Sequence, residues 1–147
     1  MTYIDPESRA KAKADGHPYA SEEIIAAGYD LASRVCRQLH RAGLPAHVER
    51  PGVPRQPGAW VEVNSQGEYA GGLYVRWSVG EAGLRAVAEQ QDPAAPEWKR
   101  YAEVVLLMQK ALIGILRLAG FSVVRAEEVD DIAQGDVYVH ADTPTSS

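Results

Sequence analysis

The chain has 147 residues, 46% of them apolar and 24% charged. That length suits one domain able to bury about 68–70% of its unfolded surface, so the fold needs no staple. The formal charge of −5, with basic residues scattered along the chain, disfavours a nucleic-acid partner, which would select a basic stripe.

Residues 1–20 read as a loosely held N-terminal arm or short helix. Asp5 can cap it, Pro6 suits a first helical position, and Gly16 with Pro18 ends it. Glu7 to Asp15 has almost no apolar face, and a helix polar all round is marginal alone. The opening residues lack the charged and apolar regions of a secretory signal. Residues 21–142 read as a single α+β domain.

Ser21 is a good N-cap, and Glu22 and Glu23 place negative charge where the helix dipole favours it. Ile24, Gly28, Leu31, Val35, Leu39 and Ala42 recur at helical spacing. Gly43 then closes the helix in a left-handed turn. Cys36 is the only cysteine, so no intramolecular disulfide forms, which suits a reducing, cytoplasmic compartment. Cys36 and His40 lie one turn apart, but two ligands are too few for a zinc site. Cys36 is expected in the core.

Ala46 to Glu49 suits a short strand. Pro51, Pro54 and Pro57 mark a rigid surface loop or sheet edge after it. Trp60 to Asn64 alternates, with Val61 and Val63 on one face. Leu73 to Val79 alternates too, with Leu73, Val75, Trp77 and Val79 on one face. The glycine-containing link between them predicts a hairpin. Its glycines match neither a Walker loop nor a dinucleotide fingerprint, so they are turn residues. Gly80 to Gln91 predicts a short helix, broken at Asp92 to Pro96.

A long helix runs from Pro96 to just before Gly120. Tyr101, Val104, Val105, Met108, Leu112, Ile115 and Ala119 form its expected main face. Leu107, Ile113, Leu116 and Leu118 carry apolarity around the cylinder, so a second partner is expected. Gln109, Lys110 and Arg117 interrupt it, which argues against a membrane span. Phe121 to Arg125 and Val137 to His140 predict two further strands. Glu127, Glu128, Asp130 and Asp131 lie in the acidic link between them, a solvated loop without calcium-loop spacing. Residues 143–147 read as a disordered tail.

The fold class is therefore α+β. An antiparallel sheet of about five strands packs against two long helices, in the order α-β-β-β-α-α-β-β. The junctions Ala42-Gly43-Leu44 and Ala119-Gly120-Phe121 both end a helix ahead of a strand, so a weak internal duplication is one reading. The element order resembles that of small dimeric secretion-chaperone folds, a likeness of architecture alone.

No catalytic, cofactor or metal motif stands out, and no cofactor is expected. Trp60 and Tyr74 fall on the face opposite the valines, beside Glu62 and Arg76. Trp98 and Tyr101 start the long helix nearby. Aromatic residues with arginine suit a protein interface, unless a second layer buries this face. The expected function is thus non-enzymatic protein binding, adaptor- or chaperone-like. The expected form is a homodimer paired through the 101–119 helix or the sheet. Two alternatives remain open. An immunity-type or inhibitor protein would use the acidic Glu127–Asp131 patch. A small enzyme would use dispersed His47, Glu49 and Glu62.

Overall fold

The computed structural model describes residues 4–89, 95–130 and 133–142. The expected end of the third helix at Gln91, Asp131 of the acidic run and the 143–147 tail lie outside them. The elements are α1 (Pro6–Ala14), α2 (Glu22–Arg41), β1 (Ala46–Val48), β2 (Pro57–Val63) and β3 (Leu73–Val79). Then come α3 (Gly80–Ala88), α4 (Pro96–Leu118), β4 (Val123–Arg125), a 3-10 turn (Ala126–Glu128) and β5 (Val137–Val139).

The fold is α+β, with one five-stranded sheet in the order β1-β2-β3-β5-β4. Three of its pairings are antiparallel, but β1 lies parallel to β2. The expected antiparallel sheet is therefore mixed at one edge. A parallel neighbour normally needs a long crossover. Here β1 is only about 10 Å long, so the proline-rich residues 49–56 suffice to return the chain.

Period-two alternation gives the sheet two different faces. Val48, Val61, Val75 and Val137 line up across it on one face, as do Val63, Leu73, Val139 and Val123. This face meets Leu31, Val35 and Leu39 of α2 and Leu112 and Leu116 of α4, which form one buried core. Cutting Leu112 or Leu116 back to Ala removes about 2–5 kcal/mol, because the cavity cannot fully collapse.

The expected face of α2 is buried through Gly28, Leu31, Val35 and Leu39 and differs only at its ends, whereas that of α4 is partly rotated. On α2, Ile25 is buried and Ile24 is exposed. On α4, the buried residues are Gln109, Leu112 and Leu116, whereas Val104 and Ala119 are exposed. An apolar cylinder leaves its inward side undetermined by sequence; the packing against β3, β4 and β5 chooses it.

The two Ala-Gly junctions share one geometry. Gly43 and Gly120 have φ of 86° and 95°. Leu44 N–H donates to the Leu39 carbonyl and Phe121 N–H to that of Leu116, both at 3.0 Å. Each helix thus ends in the same left-handed, 6→1 closed turn. Beyond it the halves diverge, since β1 pairs parallel and β4 antiparallel.

The N-terminal segment is tied to the domain. The Asp5 carboxylate accepts from Ser8 N–H at 2.9 Å, capping α1. Arg9 donates to the Ala20 carbonyl at 2.8 Å, and Ala12 is buried. Gln66 donates to the His17 carbonyl at 2.9 Å.

Candidate functional site

The second sheet face carries the chemistry. Across it run His47, Trp60 and Arg76 in one row and Glu62, Tyr74, Tyr138 and Val124 in the next. The β3–β5 ladder stops at Val75 and Val137. Past that point the residues before β5 swing away from β3, and a cleft of about 530 Å³ opens between them. Glu62, Tyr74, Arg76 and Trp77 line it from the sheet, Tyr101 and Val105 from α4. Arg55, Asp130 and Asp136 complete its polar wall.

Arg76 is the centre of the site. Its Nη2 lies 3.3 Å from Glu62 Oε2 and 3.2 Å from Asp136 Oδ2. One nitrogen therefore serves two carboxylates. Burial pushes the Glu62 carboxyl above its usual range; Glu49 nearby adds to this and Arg76 opposes it. Asp136 is raised as well, by burial first, with Arg76 again opposing. Burial raises Tyr74 too, helped by the charge of Asp130. Arg76 Nε is buried without a hydrogen-bond partner among the described residues.

The wall holding Asp136 is built from α4. Gln109, buried on the helix's inward side, donates at 2.8 Å to both the Glu127 carboxylate and the Asp136 carbonyl. Gly135 N–H also donates to Glu127, at 3.1 Å, and Ala126 N–H to the Asp136 carbonyl, at 2.9 Å. Gly135 has a φ of 85°, and a Cβ there would meet Val105 Cγ1 at 2.8 Å. Glu128 accepts from Arg125 N–H at 3.0 Å. Two members of the acidic run thus hold a turn together.

Of the six expected surface residues, Glu62, Tyr74, Arg76 and Tyr101 meet in the cleft. Trp98 lies in the first turn of α4, half-buried, outside the cleft lining. Trp60 is 1% exposed, so it is a buried support and no contact surface. The Arg55 guanidinium lies 6.0 Å from its ring centre, and the His47 ring 6.3 Å away. Of the dispersed set His47, Glu49 and Glu62, Glu62 alone lines the cleft. Sequence reasoning passed over Arg55, Asp136 and Gln109. A lone amide in an apolar helix was the available signal for Gln109, since a buried amide must find partners.

A second surface lies on the outside of α4. Val104, Leu107, Ala111, Gly114 and Leu118 are all exposed, at the alternating three- and four-residue spacing of a helix-pairing seam. Leu107 is 65% exposed and Leu118 92%. A Cβ built on Gly114 meets nothing within 4 Å.

Among the described residues no group of three or more His, Cys, Asp or Glu is placed to hold a metal ion. None of the helices there is long and apolar enough to cross a membrane. Set against protein-family models, curated proteins and solved structures, the chain matches none.

Proposed function

We propose that this chain is a non-enzymatic, adaptor-like protein-binding protein that works as a homodimer paired through α4. The observation that carries the reading is the exposed seam from Val104 to Leu118. It runs about 21 Å along the helix. Its middle is Ala111 and Gly114, small enough for two backbones to approach closely.

The occupant that suits this seam is a second copy of the chain. Glu103 and Arg117 flank the same edge of the seam at opposite ends, both exposed, and the Arg117 guanidinium also donates to the Val123 carbonyl of its own chain at 2.9 Å. Antiparallel, two-fold pairing sets Glu103 of each copy against Arg117 of the other. A two-fold interface must be complementary to itself; the two ends of this edge are opposite in charge, while the exposed Lys110 midway meets its own copy at the axis.

Light scattering on the eluting protein tests the pairing. The expected mass is twice the 16.0 kDa of one chain, falling to one chain in Leu107→Glu/Leu118→Glu with secondary structure unchanged. A monomeric parent protein at micromolar concentration, or a double variant that still pairs, would overturn it.

A further inference from the structure

We infer that the cleft between β3 and the residues before β5 receives an arginine side chain of a partner polypeptide. The inference rests on the protein-binding reading and supplies its partner chemistry; it does not depend on the α4 pairing.

Three carboxylates, Glu62, Asp130 and Asp136, line the cleft against two guanidiniums, Arg55 and Arg76. Glu49 and Glu127 add negative potential from behind, raising Glu62 and Asp136 respectively. Among the described lining residues carboxylates outnumber guanidiniums. Arg76 touches only one oxygen of Glu62 and one of Asp136. The second oxygen of each has no protein partner among the described residues. A carboxylate has room for several donors, and a guanidinium supplies planar pairs of them.

The walls fit the same group. Tyr74 and Tyr101 give aromatic surface beside the carboxylates, and a guanidinium is attracted to such faces. Val105 and Trp77 offer apolar contact for the aliphatic stem of an arginine. Arg76 already shows how the site holds a guanidinium, between two carboxylates.

The test is a titration of the ¹⁵N-labelled full chain with the peptide acetyl-Gly-Ser-Arg-Ser-Gly-amide. A second peptide with neutral citrulline in place of arginine is the control. Saturable shifts are expected at Tyr74, Arg76, Tyr101 and Asp136, with binding about tenfold weaker for the citrulline peptide. Glu62→Gln, which leaves Arg76 its Asp136 partner, and Tyr101→Ala should each weaken the arginine peptide while keeping a native spectrum.

Equal binding of the two peptides, shifts that map elsewhere, or no shifts at millimolar peptide would overturn the inference. Agmatine, a small free guanidinium, separates the two sources. Agmatine bound as tightly as the peptide would overturn the polypeptide assignment. No peptide binding by a parent protein that still pairs would overturn the cleft's role and leave the dimer reading intact.

Discussion

The hydroxyl of Tyr138 donates a hydrogen bond to the main-chain carbonyl of Tyr69 at 2.6 Å. It joins the last strand to the turn that links β2 and β3. The ring is buried, with Tyr69, Tyr74 and His140 edge-on around it. Gly72 makes this possible, because a Cβ at that position would occupy the place of the hydroxyl. Tyr138→Phe should cost about 0.5–1.5 kcal/mol, because the Tyr69 carbonyl keeps its bond from Gly72 N–H at 3.2 Å. Gly72→Ala should cost more, because the ring itself must move. Urea unfolding of both variants checks the order, and a milder Gly72→Ala would refute it.

Arg76 should matter more to stability than either of its partners. Arg76→Met leaves two partly buried carboxylates without their cation, at an expected cost of about 1–3 kcal/mol. Glu62→Gln leaves one good pair and should change little. Adding Glu62→Gln to Arg76→Met should recover part of the loss, which a double-mutant cycle reads directly.

The same pair sets a pH dependence. The folded-state values of Glu62 and Asp136 are raised above their ordinary 4.5 and 3.8. Over the window from those ordinary values up to the raised ones, the folded state binds more protons than the unfolded. Their contribution to stability is therefore present at low pH and lost as pH rises through the raised values. Urea midpoints should hold or rise as pH falls from neutrality through the raised values, and Glu62→Gln/Asp136→Asn should flatten that trend. A parent protein that loses stability steeply over this window, with the double variant unchanged, would contradict the assignment.

Cys36 should be inert in the folded protein. It is 7% exposed in the α2 core, and burial pushes its thiol up to about 11. Labelling by a thiol reagent at neutral pH should follow global unfolding, becoming rapid only in denaturant.

Gly114 gives a prediction of two opposite signs. In a single chain, Gly114→Ala fills open space on a helix and should stabilise it by about 0.5–1 kcal/mol. Gly114→Leu should weaken self-association by holding the two helices apart. Thermal melts and sedimentation on the two variants separate these effects.

What the sequence disclosed depends on periodicity. Val61, Val63, Leu73 and Val75 alternate cleanly, so the hairpin and its two faces were legible, and with them the grouping of Glu62, Tyr74 and Arg76. The parallel seat of β1 was not, because a three-residue strand carries no directional signal. Arg55 and Asp136 reach the cleft from irregular segments, whose path no repeat encodes. The inward side of α4 is only partly legible, because nearly every side of that helix is apolar. Only the fixed positions of β3, β4 and β5 distinguish Leu116 from Leu107.

The sheet ends on two strands of three residues each, Ala46–Val48 and Val123–Arg125. So short a rim is a poor template for a strand from another molecule. Of the two expected routes to self-association, the helix therefore remains and the sheet recedes. The difference concerns growth. Strand addition leaves a fresh rim after every step and has no natural stopping size. The two-fold helix pairing proposed above would use up its own surface on the first encounter, so such an assembly would be complete at two and would dissolve again on dilution.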